Sequence, residues 1–163
     1  MAKDKVKRST GYKNLKLRKT IWQNLYTNAF EIFVFKDRKS MVNGICKWAK
    51  LNKYKLNFED LEVMALIFEN ESLPEVEIDG YEYRMFATIF FNEEDLNINI
   101  IAHECVHAAF ILERNVLRYI GNYVGNNGTG ISSEERYAYN VDNFLAKVVQ
   151  ECLAAKLKVK VKV

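Results

Sequence analysis

The sequence predicts an α+β fold, a small sheet packed against helices, on three observations. Residues 30–35 and 81–91 are rich in aromatic and β-branched side chains, as strands are. Four other stretches, residues 39–52, 58–68, 93–114 and 134–155, repeat apolar residues at helical spacing. The composition is 49% hydrophobic, with one proline and seven glycines. That suits one folded unit with its own core rather than modules on a long linker.

In chain order, Phe30, Ile32 and Val34 would share one face of the first strand, and Phe33 and Phe35 the other. Both faces are therefore expected to be covered. Met41, Ile45, Trp48 and Ala49 mark the helix that follows. Leu61, Met64, Ala65 and Phe68 mark the next, with Asn57 to help cap it. Residues 70–74 are polar and read as a loop. Asp79-Gly80 is a hairpin turn between residues 76–78 and 81–91. Asn92 stands where an N-cap would, which puts Glu93, Glu94 and Asp95 in a first helical turn, where carboxylates favour the dipole. That helix would bury Ile101, Cys105, Ala108, Ala109 and Leu112. Residues 121–130 break the pattern with glycine and asparagine. Ser132 or Ser133 would cap a last helix whose face includes Ala138, Val141, Leu145 and Val148 or Val149. The tail alternates lysine with Leu or Val, as a lysine-guarded edge strand or a frayed end would.

Residues 1–19 hold eight basic side chains against one acid, so the rest of the chain is net negative although the whole carries a formal +3. The expected organisation is a basic N-terminal arm (1–19), a folded domain (20–155) and the Lys/Val tail (156–163). The arm would suit nucleic acid or an acidic protein; a solvated terminus is the simpler account. There is no secretory h-region near the N-terminus and no apolar run long enough to span a bilayer. Three cysteines without framework spacing read as reduced thiols. The expected location is therefore cytoplasmic, with no membrane partner. The Lys- and Asn-rich composition fits a low-GC bacterium or its phage.

The chemistry is carried by His103-Glu104-Cys105-Val106-His107, which contains both histidines of the chain. On a helix, H-E-x-x-H aims two imidazoles at one zinc ion and sets a carboxylate beside the water that such an ion activates. Two histidines hold zinc poorly, and a catalytic site usually takes three protein ligands. With no third histidine, the remaining ligand must be a carboxylate or a cysteine from elsewhere. Cys105 lies about 200° around the helix from His103 and is expected to pack in the core. The last helix offers Ser133-Glu134-Glu135-Arg136-Tyr137-Ala138-Tyr139, an E-x-x-A followed by a bulky residue. Ordinary first-turn helix chemistry accounts for one of the two glutamates without a metal.

The order of strand, H-E-x-x-H helix, glycine-containing linker and glutamate-bearing helix resembles the gluzincin type of zinc metallopeptidase. It is most similar to the small single-domain versions of bacterial and phage genomes, over about residues 85–153. The resemblance implies a zincin-like α+β fold: a small mixed sheet with an HExxH active-site helix and a C-terminal ligand-bearing helix. It implies Zn2+ as cofactor, with His103, His107 and Glu135 as ligands. Glu134, one residue of register away, and Asp142 stay open. It implies hydrolysis of a peptide bond in a protein or peptide substrate, with Glu104 moving a proton from water to the leaving amine. In larger gluzincins an aspartate often follows the E-x-x-A; Tyr139 stands there instead, a departure at the partner of a ligand histidine. No histidine remains to stabilise an oxyanion, so Tyr119, Tyr123, Tyr137 and Tyr139 are candidates, and Tyr139 is the choice. Zincins also pair an extended peptide with an edge strand that precedes the active helix, which here implies residues 86–91.

Peptide deformylases share H-E-x-x-H, but their cysteine needs Glu-Gly-Cys, and Cys46 sits in Asn43-Gly44-Ile45-Cys46-Lys47. Two other classes are a catalytically inactive zincin-fold interaction protein with a structural metal, and a nucleic-acid-contacting protein that uses residues 1–19. The intact Glu104 argues against the former, because a structural site needs no general base.

Overall fold

A computed structural model describes residues 11–23, 28–54, 62–70, 75–114 and 133–161, without the side chains of residues 23 and 133–135. The first ten residues of the basic arm, the expected cap Asn57, residues 71–74 of the expected loop and residues 121–130 lie outside the described residues. The chain runs β1 (Leu15–Gln23), β2 (Asn28–Phe35), α1 (Arg38–Leu51), β3 (Ala65–Glu69), β4 (Glu75–Ile78), β5 (Tyr81–Asn92), α2 (Ile98–Leu112) and α3 (Ser133–Ala154). The architecture is α+β with a mixed sheet in the order β1-β2-β5-β3. β1 is antiparallel to β2, β2 is parallel to β5, and β3 and β4 are both antiparallel to β5.

β2 alternates as its period of two requires. Phe30, Ile32 and Val34 enter a core shared with α2 and α3, while Phe33 and Phe35 enter a second core under α1. All five are fully buried. β5 does the same except at Phe86, where the register against β2 slips between Ala29 and Phe30. This bulge turns Phe86 to the same side as Ala87. At the hairpin, Asp79 and Gly80 both have positive φ, 52° and 81°, as a type I′ turn needs.

α1 begins at Asp37, whose side chain accepts from the Ser40 N–H at 2.8 Å. That bond holds the Asp37 carboxyl below its usual range. Gly44 lets α1 lie close to β2, since a Cβ there would stand 2.2 Å from the Phe35 ring. β1 begins inside the basic segment, where Arg18 pairs with Glu31 and Lys19 with Glu151.

Three expectations change. The helix expected over residues 58–68 is replaced, in its described part, by strand β3. Ala65 and Ile67 pack on the α2 side and Leu66 and Phe68 on the α1 side. A strand covered on both faces carries no polar alternation, so its apolar residues also fit a helical spacing. Asn92 is not a helix cap. It closes β5, where the Glu93 N–H extends the ladder to the Phe35 carbonyl at 2.8 Å. The cap is Asn97, whose Oδ1 accepts from the N–H groups of Asn99 and Ile100. Residues 86–91 are not an edge, because β5 has β2 on one side and β3 and β4 on the other.

α3 buries a face rotated from the expected one. Asn140, Phe144, Val148 and Cys152 point inward, Val141 and Leu145 are partly buried, and Ala138 is exposed. Phe144 sets this rotation by meeting Phe30 and Phe86, with ring centres 4.9 and 6.0 Å away. After α3, Lys156 takes φ 60° and the Leu157 N–H reaches back to the Cys152 carbonyl. The described part of the tail, to residue 161, then forms one parallel bridge, Asn97 to Lys160, rather than a strand. No helix among the described residues is long and apolar enough to cross a membrane.

Candidate active site

The five residues of the motif lie within one helix, so local geometry places them. Positions four apart on a helix differ by about 40°, and His103 and His107 accordingly share the exposed side of α2. Their Nε2 atoms stand 3.1 Å apart. Two imidazole nitrogens bound at about 2.0–2.1 Å to a tetrahedral zinc ion stand roughly 3.3 Å apart. The spacing is close to that of two ligands of one ion, and it is also that of a hydrogen bond between the two rings.

Glu104 points elsewhere. It is turned toward β3 and only 6% exposed. Burial pushes its carboxyl up from the ordinary value, with the neighbouring His103 imidazole opposing the shift. Together with His103 it lines a cleft of about 470 Å³, whose other wall is the chain from Glu62 to Ala65 and whose floor includes Ile100. A glutamate on a solvated helix face would show neither the burial nor the cleft. Cys105, the next residue, is fully buried in the core with Cys152 on α3. Burial pushes the two thiols up to about 12 and about 11. Cys105 is therefore a packing residue, as its helical position required.

The cleft wall is held by a polar network that the sequence did not reveal. Asn92, 1% exposed, donates from Nδ2 to the Met64 carbonyl at 2.9 Å and to Asp95 at 3.0 Å. Asp95 also accepts from Arg38. Partial burial alone would raise the Asp95 carboxyl, but the hydrogen bonds from Arg38 and Asn92 hold it below its usual range. The end of β5, the start of α1 and the entry to β3 are thus fastened together beside Glu104.

The candidate third ligands fall on the first turns of α3. Glu134 and Glu135 belong to that helix, but their side chains lie outside the described ones. Among the described residues, no three metal-binding side chains converge. Two contacts fix where this end of α3 lies. The Tyr137 hydroxyl donates to the Val106 carbonyl at 2.9 Å, and Arg136 makes two 2.8 Å bonds to Glu113.

Tyr139 is 62% exposed and is not among the residues lining the cleft. The Tyr137 hydroxyl is committed to Val106. Tyr119 and Tyr123 lie outside the described residues. Tyr137 shares α3's inward stripe with Asn140 and Phe144, a face that the expected stripe through Ala138 does not show. Compared with protein families, curated proteins and solved structures, the chain matches none of them.

Proposed function

We propose that this protein is a zinc-dependent metallopeptidase, a hydrolase of a peptide bond in a protein or peptide substrate, with a zincin-like arrangement of its α+β fold. One observation carries the reading: a nearly buried glutamate lines a cleft beside two exposed imidazoles whose nitrogens converge to 3.1 Å. Burying a carboxylate costs stability, and such groups collect at functional sites. His103 and His107 would hold the ion, with Glu135 as the third ligand and Glu134 as the alternative. Bound zinc would polarise the scissile carbonyl and make a water acidic near neutral pH. Glu104 would take a proton from water and deliver it to the leaving amine; its burial raises its carboxyl from the ordinary value. Tyr139 remains the proposed oxyanion partner from α3.

β3 supports the choice of substrate. It is the strand beside the cleft, it runs antiparallel to β5, and its other edge pairs with no strand among the described residues. An extended peptide would add to that edge through main-chain hydrogen bonds. Val63, Met64 and Ile100 would meet an apolar side chain near the reacting bond.

Zinc analysis of the purified chain and its Glu135→Ala, Glu134→Ala and Glu104→Gln variants tests the proposal. About one zinc per chain is expected, lost in Glu135→Ala and kept in Glu104→Gln, which should no longer hydrolyse peptide. A zinc-free wild type, or proteolysis undiminished in Glu104→Gln, overturns the reading. Full zinc in Glu135→Ala with loss in Glu134→Ala moves the ligand by one residue.

A further inference from the structure

We infer that the solvent side of α1 binds the phosphate backbone of a nucleic-acid duplex. This surface is separate from the H-E-x-x-H motif, since α1 packs on one side of the sheet and α2 on the other. Residues 36–53 hold six basic side chains and one acid, in a chain whose totals are nearly balanced at 24 and 21. That acid, Asp37, spends its carboxylate on the Ser40 N–H, and Arg38 turns to Asp95. Lys36, Lys39, Lys47, Lys50 and Lys53 are all exposed, and none takes part in an ion pair among the described residues.

The arrangement is directional. Lys39, Lys47 and Lys50 fall within about 80° of arc on α1, and the first and last stand about 16 Å apart along it. α3 instead mixes signs, with Arg136, Asp142, Lys147 and Glu151. Lys39 also stands in the first turn of α1, which holds no acid. Helix formation alone would favour a carboxylate there, at the positive end of the dipole. The fold then brings the described end of the basic segment alongside. Lys47 donates from Nζ to the Gly11 carbonyl at 2.6 Å and lies 5.0 Å over the Tyr12 ring. Asn14 donates to Ser40 Oγ at 2.9 Å, and its carbonyl accepts from the Lys36 N–H at 2.9 Å. Exposed Lys13 is thereby held beside the row, and Lys47 keeps donors to spare.

The chemistry of the surface selects the partner. Lysines are point charges that suit phosphates and carry no base readout. No aromatic side chain is exposed on α1, so unpaired bases find no stacking platform. The apolar side of α1 is spent on the core, and Leu51 is the one large apolar side chain it exposes. A bilayer surface or a protein partner would need more apolar contact than that.

Fluorescence anisotropy with a labelled DNA duplex of mixed sequence and about 20 base pairs tests this. The full chain is compared with Lys39→Gln/Lys47→Gln/Lys50→Gln and with Arg84→Gln/Lys156→Gln/Lys158→Gln, which removes the same charge from exposed sites outside α1. Urea midpoints check that both variants are folded. At about 50 mM salt the wild type should bind, and the α1 variant should bind at least about tenfold more weakly. Its plot of log affinity against log salt should be shallower by about 2.7, since each lost phosphate contact removes about 0.9. The other variant should stay within about twofold of the wild type. A wild type that does not bind, an unchanged α1 variant, or equal losses in both variants overturns the inference. Tighter binding to the single strand than to the duplex overturns it in favour of base stacking. Equal or tighter binding to phosphatidylserine vesicles or to polyglutamate overturns it in favour of a membrane or an acidic protein.

Discussion

On the α1 side of the sheet, Phe33, Phe35, Phe90, Trp48 and Phe68 meet ring to ring at 4.9 to 6.4 Å. On the α2–α3 side, Phe30, Phe86, Phe91 and Phe144 share the core with aliphatic and small residues, and it also holds two thiols, a fully buried asparagine and a carboxylate at 6% exposure. One side is closed by large apolar surfaces with preferred mutual geometry. The other leaves room between α2 and β3 and tolerates groups that lower stability. The difference teaches where to look for chemistry in such a sheet: beside the layer that admits polar groups, at an edge strand.

The largest expected effect tests the aromatic side. Phe90→Ala removes a ring that touches Phe33, Trp48 and Phe68 and should cost about 3–5 kcal/mol in urea denaturation. The folded variant should bind zinc as the wild type does if the proposed centre is correct. A cost under about 1 kcal/mol would show that this side does not carry the fold.

Glu104→Gln should do the opposite on the other side. In metal-free protein the variant should be more stable at pH 7, by about 1 kcal/mol. The sign follows from the raised carboxyl. The folded state holds its proton more tightly than the unfolded state, whose glutamate titrates near 4.3. Wild-type stability therefore falls as pH rises from about 4.3 to the folded value, and the two proteins converge at lower pH. Urea midpoints measured with chelator from pH 3.5 to 8 check this. A variant less stable than the wild type at pH 7 would make Glu104 a structural residue.

The smallest effect is an absence of reaction. With their thiols pushed up to about 12 and about 11, Cys105 and Cys152 should resist alkylation at pH 8 in the native state, while the half-buried Cys46 reacts first. Mass spectrometry of the labelled peptides locates the adducts. Rapid native labelling of Cys105 would mean that the interface between α2 and α3 opens readily.

The motif was legible because its three candidate side chains are neighbours on one helix, where spacing alone determines direction. The two faces of β2 and the buried stripe of α2 were legible for the same reason. β3 was not, since residues 65–68 are apolar on both faces and satisfy either period. The start of α2 was not, since Asn92 and Asn97 are equally good caps and the ladder between β2 and β5 decides between them. Which strand forms the edge depends on sheet order, which no strand's composition records. The cleft wall at Met64 and the bond from Tyr137 to Val106 join residues distant in sequence. Neither leaves a local trace.

The tail bridge has a further mechanical meaning. The Lys160 N–H bonds to the Leu96 carbonyl, and the Lys160 carbonyl accepts from the Ile98 N–H, one of the donors that a helix start leaves unsatisfied. The chain between these points, α2 and α3 included, is thereby a loop clasped at its neck. Tension applied along the chain between β5 and the tail would be borne first by these two bonds rather than by the segment between them.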